Sequence, residues 1–138
     1  MDETTLSMLI LILAPLGFVG FWCITIWIVA LVSGWRRLAQ VYAVPRPIPD
    51  SARGGISGML GWAGYNHVLR VAHNDRYLFL DVMWPFRIGH SALRIPWTAI
   101  QIGAESSWFF KRMVPLTIKQ PSPTVLRLPA MVLPAAQR

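Results

Sequence analysis

The chain is poor in the residues that carry most protein chemistry. It has one cysteine, three histidines and six acidic residues in 138. A single thiol, Cys23, cannot form an intrachain disulfide, so the fold does not draw on an oxidising compartment. Cys23 lies inside an apolar run and reads as a small packing residue. There is no Gly-x-Ser-x-Gly elbow, no nucleophile with a neighbouring base and no close carboxylate pair, which removes the usual hydrolase arrangements. His67 and His73 stand six residues apart, about 20 Å along an extended strand, so a metal site with Asp75 would need a tight turn. His90, in Gly89-His90-Ser91, reads as a turn residue bonded to backbone. The expectation is a non-enzyme with no cofactor and no metal, and a histidine-centred enzyme stands only as a third reading.

Charge is missing altogether from Leu6 to Val32. A helix of that length is about 40 Å long at about 1.5 Å per residue, more than the roughly 30 Å of a bilayer's hydrocarbon core. The sequence therefore predicts a transmembrane helix over residues 6–32, with residues 1–5 outside the cytoplasm. A cleaved signal peptide fits less well. Asp2 and Glu3 make the start acidic, the run is too long, and no small-x-small cleavage site follows. Pro15 and Gly17 are tolerated in membrane helices, with a kink expected at Pro15. The span holds no ionisable residue, so by itself it is not an ion pathway. Trp35-Arg36-Arg37 follows at once and sets a cytoplasmic C-terminus by the positive-inside rule, in a plasma (inner) membrane. Trp35 and Tyr42 suit the headgroup layer as amphipathic rings.

Residues 33–50 read as a juxtamembrane helix end followed by a Pro-rich linker. Pro45, Pro47 and Pro49 alternate, which favours an extended spacer. Residues 51–138 read as a basic, mainly β domain. The glycine-rich stretch 51–64 is expected to form a first strand or ribbon. Further strands are predicted at 68–71, 77–83, 92–95, 98–102, 114–119 and 124–128, with a turn at Asn74-Asp75. Residues 131–138 could add one helical turn. So few short strands suit a bent sheet or small open barrel. Pro96 should bend its strand and turn Trp97 inward as a structural corner.

All thirteen Lys and Arg lie after Gly34, against four acids, a balance of +9 for the part assigned to the cytoplasm. Such a domain is drawn to anionic headgroups by about 1 kcal/mol per basic residue near the surface. The expected surface contacts are Trp35, Arg36 and Arg37 beside the helix. A second set is Trp108, Phe109, Phe110, Lys111 and Arg112, where rings could enter headgroups and cations pair with phosphates. The sequence has no helix-turn-helix, zinc spacing or basic helix, so nucleic acid is not an expected partner.

Phe86-Arg87-Ile88-Gly89-His90 and Leu93-Arg94-Ile95-Pro96-Trp97-Thr98-Ala99-Ile100 resemble the FRxGHxxLxIPWxxI stretch of small bacterial single-pass membrane proteins. That resemblance implies a membrane anchor and brings no activity with it. The second half is also similar to the strand opening of bacterial pleckstrin-homology-like domains. It implies a bent seven-stranded sheet closed by a C-terminal helix. The resulting expectation is a membrane-anchored binding or scaffolding protein acting on the lipid bilayer surface. The alternative is an accessory subunit of a larger membrane complex, its helix packed on other membrane proteins.

Overall fold

The computed structural model describes residues 2–46, 48–49, 52–108 and 111–134. Helix α1 spans Glu3–Ser33 and runs through Pro15. Asp2 caps it, its carboxylate accepting from the Thr5 N–H at 2.7 Å, which satisfies one of the donors a helix start leaves unpaired. Gly34 ends α1 in the left-handed region, at φ 94. That conformation is costly for residues with a Cβ. The chain then re-enters a helix, α2, at Trp35–Tyr42. The predicted continuation of the first helix is thus a separate helix on a new axis.

Among the described residues nine strands follow: β1 Ala43–Val44, β2 Arg53–Leu60, β3 Ala63–His73, β4 Tyr77–Val82, β5 Ala92–Pro96, β6 Ile100–Ile102, β7 Ser106–Trp108, β8 Lys111–Ile118 and β9 Thr124–Pro129. Their order is β1-β5-β4-β3-β2-β9-β8-β6, with β7 paired to β8, and every pairing is antiparallel. β5 and β6 are far apart in that order, yet only the 3-10 turn Trp97–Ala99 joins them. The sheet must therefore coil until these strands are neighbours. Among the described residues no ladder links them, so the sheet is strongly bent and not a closed barrel.

Alternation explains which side of each strand is inside. Leu78, Leu80 and Val82 of β4, Leu93 and Ile95 of β5, and Leu126 and Leu128 of β9 are all buried, while Arg94 between two of them is exposed. Period-two burial of this kind is what a one-sided sheet requires. The Asn74 turn is as expected: its side-chain oxygen accepts from the N–H groups of Arg76 and Tyr77, at 2.9 and 2.8 Å.

Trp97 is only half-buried. Its indole N–H donates to the Asn74 carbonyl at 2.9 Å, and its ring packs against the edge of the core. It is a corner residue, as expected, but it does not fill the interior. That place is taken by α2. Trp35, Leu38 and Tyr42 are buried, and Ala39 packs beside them. The spacing i, i+3, i+4, i+7 lines one face of a helix, and this face plugs the bent sheet. Arg36, Arg37, Gln40 and Val41 point outward.

Two expectations need correction here. The segment 43–49 is not a free spacer. β1 pairs Ala43 with Leu93 and Val44 with Ala92, Ile48 is buried, and Arg46 is bonded to Asp81. Trp35 is not at a headgroup layer, because it is wholly inside the core. At the chain's other end Ala130–Val132 form a 3-10 turn, with Val132 and Leu133 buried.

Candidate functional site

The last three turns of α1 are where helix and sheet meet. From Asp2 to Phe21 every described side chain is exposed. Beyond that, Trp22, Ile26, Val29, Ala30 and Ser33 are covered, three or four residues apart, so one stripe of the helix is docked. The β4–β5 loop, residues 83–91, lies along this stripe. Phe86 stacks on Trp22 with ring centroids 5.3 Å apart. Gly89, at φ 70, presses on the helix so closely that a Cβ there would sit 3.1 Å from Trp27 and 3.2 Å from Ala30.

A directed hydrogen-bond chain closes this joint. His90 Nδ1 lies 2.9 Å from the Ile88 carbonyl, which can only accept, so Nδ1 carries the proton. In the neutral ring Nε2 is then bare and accepts from the Tyr65 hydroxyl at 3.0 Å. The Tyr65 oxygen in turn accepts from Ser33 Oγ–H at 2.9 Å. Ser33 Oγ accepts the Trp35 N–H at 3.3 Å, and the Trp35 indole donates to the Ser91 carbonyl at 2.9 Å. The rings of Trp35 and His90 meet edge-on at 4.9 Å. Burial pushes the His90 pKa below its ordinary value. Arg46 adds to that, against the opposing pull of the Ile88 bond and Asp81, which agrees with the neutral ring. Burial also raises the Tyr65 hydroxyl to about 12, the Ser33 bond opposing. Ser33 is 1% exposed and its proton is committed to Tyr65, so its hydroxyl is a joint and not a poised nucleophile.

Beside the joint lies a buried carboxylate. Asp81 is on the outer face of β4 yet 0% exposed. Arg46 covers it with a two-pronged grip: Nε to Oδ1 and Oδ2 at 3.0 and 3.1 Å, and Nη2 to Oδ1 at 2.7 Å. Arg46 also donates to the His90 carbonyl. Arg70 and Arg87 approach the same carboxylate at 3.7 and 3.9 Å, and Arg87 Nε donates to the Val82 carbonyl at 3.1 Å. Among the described residues, three guanidinium groups thus surround one carboxylate, and the surplus of positive charge is held in place rather than tethered loosely.

Two spaces flank the loop. An apolar groove of about 710 Å³ runs between Phe18, Val19 and Trp22 of α1 and Trp84, Arg87 and Ile88 of the loop. A polar pocket of about 420 Å³ is bounded by Trp27, Arg36, Gln40, Arg46, Arg87 and Ser91. Arg87 lines both. Among the described residues Trp84, beside Phe18 and Trp22, and Trp62, near Ser33, face outward at 78% and 72% exposure, at different levels along α1. Trp62 is carried there by the β2–β3 turn, since Gly61 lies against the Ser33 carbonyl.

The residues expected to form one surface are not brought together. Arg36 is exposed beside α1, 5.4 Å over the Trp27 ring. Arg37 faces elsewhere and donates to Ser122 at 3.4 Å. Of the second set, Trp108 lies on β7 and Lys111 and Arg112 on β8, where Trp108 pairs with Lys111. Thr124, which faces Gly34 at the end of α1, pairs with Ile118 of β8. Lys111 is about 23 Å further along that strand, at about 3.3 Å per residue, so it lies at the end of β8 away from Gly34. Arg112 there is exposed and paired with Glu105 at 3.4 Å. Phe109 and Phe110 lie outside the described residues.

His67 and His73 are both exposed on β3, and among the described residues no three His, Cys, Asp or Glu side chains form a metal-sized group. No family model, curated protein or solved structure matches the chain.

Proposed function

We propose that this chain is a single-pass membrane protein whose basic β domain is a non-catalytic binding or scaffolding module held against the cytoplasmic surface of the inner membrane. The observation that carries this reading is the division of α1. About 20 residues cross a hydrocarbon core. The first sixteen residues of the uncharged run, 6–21, are exposed all round, and beyond them Ile24, Trp27 and Ile28 keep one face of the helix exposed while the opposite stripe is docked. Beside Phe18 and Trp22 the loop presents Trp84, an amphipathic ring of the kind favoured at a membrane interface, together with Arg87. Asp2 and Glu3 at one end of α1, and Arg36 and Arg37 beyond the other, favour a cytoplasmic domain.

We read the domain as a variant of the pleckstrin-homology-like scaffold. In it α2, arriving from the N-terminal side, fills the bent sheet in place of a C-terminal helix. The bent antiparallel sheet and its single plugging helix support that reading.

The test is a pair of measurements on the full chain. The protein should resist alkaline extraction from membranes, and a reporter active only outside the cytoplasm, fused after Arg138, should give no signal. Release by alkali, or a strong reporter signal, would overturn the proposal.

A further inference from the structure

The groove and the pocket on either side of Arg87 follow one another along α1 in a definite order. The groove is bounded by Phe18, Val19 and Trp22 and is apolar. The pocket begins one turn further on, at Trp27, and carries Arg36, Arg46 and Arg87 with no acid among its described lining residues. Moving toward the domain, the surface therefore passes from hydrocarbon-like to cationic within a few residues. A phospholipid in the cytoplasmic leaflet has the same order, acyl chain first and phosphate second.

The cations are also pre-set. Asp81 and the His90 carbonyl fix Arg46, the Val82 carbonyl fixes Arg87, and the Trp27 ring supports Arg36. Asp81 neutralises one charge of the three guanidinium groups around it. An anion entering the pocket meets donors already ordered, so little freedom is lost on binding. Gln40 and Ser91 add neutral hydrogen-bonding groups to the wall.

We propose that the two spaces are one site for an anionic phospholipid, with the phosphodiester held by Arg36, Arg46 and Arg87 and part of an acyl chain lying in the groove between α1 and the 83–91 loop. This rests on the reading that α1 spans the membrane. A free phosphate would use only the pocket, and the contiguous groove is the reason for committing to the lipid.

The experiment uses the full chain in non-ionic detergent micelles, titrated with phosphatidylglycerol or phosphatidylcholine and read by native mass spectrometry. One phosphatidylglycerol should be retained in preference to phosphatidylcholine. Arg36→Gln should weaken retention about tenfold, the loss of one charged hydrogen bond, and so should Arg87→Gln. Arg37→Gln, on a cation outside the pocket, should leave it unchanged. Inorganic phosphate and glycerol phosphate at millimolar concentration should not displace the lipid.

Equal retention of the two lipids, an equal loss in Arg37→Gln, or displacement by inorganic phosphate would each overturn the site. If Arg87→Gln fails to fold, Arg36→Gln decides, and unchanged retention in that variant overturns the proposal. Alkaline extraction of the membranes before detergent is added separates the two readings. A chain that stays in the membrane but shows no lipid preference sinks this inference alone.

Discussion

The two ends of α1 are built from the same kinds of residue and meet opposite surroundings. From Leu6 to Phe21 the residues are mostly apolar and all exposed. From Trp22 to Ser33 the composition is just as apolar, yet one stripe is packed on protein. Neither hydrophobicity nor small size makes the difference, since Ala14, Gly17 and Gly20 of the first half are small and unpacked; the 83–91 loop and β3 reach only the second half. Ala30 and Ser33 are small, so the loop at Gly89 and the ring of Tyr65 can come close. In lipid, apolar character gives helices no reason to prefer protein over solvent tails, and close packing decides.

Truncation should break this comparison most sharply. A chain beginning at Trp22 keeps the docked stripe and α2, and its domain should still melt cooperatively in detergent. A chain beginning at Ser51 loses Trp35, Leu38, Tyr42, Ile48 and Arg46. Large buried side chains are worth about 2–5 kcal/mol each, against a total stability of about 5–15 kcal/mol. It should show no cooperative transition by near-UV circular dichroism, and a sharp melt would mean that the sheet does not depend on α2.

Single substitutions sharpen the same contrast. Trp35→Ala should cost about 3–5 kcal/mol, the range for a buried tryptophan. Phe21→Ala, on an exposed position, should leave the melting temperature of the domain nearly unchanged. Equal losses would show that the exposed half also carries packing within the chain.

Gly89→Ala places a methyl group against Trp27 and Ala30 in a left-handed backbone. It should cost about 1–3 kcal/mol, as overpacking does. Gly20→Ala, with nothing within 4 Å of the new carbon, should be neutral in the same melt.

The smallest effect concerns pH. His90 has its pKa lowered on folding, burial being the main cause, so the unfolded chain binds the proton more readily. The associated stability is fully present above about pH 6.5, the value for an unperturbed histidine. It is lost as pH falls through and below that value. The wild-type melting temperature should drop on acidification from pH ~7 to ~5 more steeply than that of His90→Gln, which lacks the titrating ring. Parallel curves would remove His90 from the account.

Much of this architecture can be read from local pattern. The uncharged run marks α1, Asn74 marks its turn, and alternation marks β4, β5 and β9. The site is harder to read. Arg46 and Asp81 are distant in sequence, and nothing around either announces the other. The docked stripe is hidden because its apolar residues sit in an apolar run. The role of Trp35 did leave a trace. Trp35, Leu38, Ala39 and Tyr42 have the spacing of a core-facing helix, but their place after a long uncharged apolar run invites a headgroup reading. The expected surface set of Trp108, Phe109, Phe110, Lys111 and Arg112 rests on composition, which says nothing of register; strand pairing places Lys111 and Arg112 at the end of β8 away from Thr124.

Gly34 gives the molecule a mechanical property. The turn there redirects the chain, but Ser33 on one side and Trp35 on the other are both fastened to the sheet. The joint is therefore a bracket and not a swivel. Helices longer than the local hydrocarbon thickness respond by tilting. A flexible tether would absorb that tilt. If α1 spans the bilayer as proposed, it is the shaft of a rigid lever, and each degree it leans in a thinner bilayer is passed to the domain as a change of attitude.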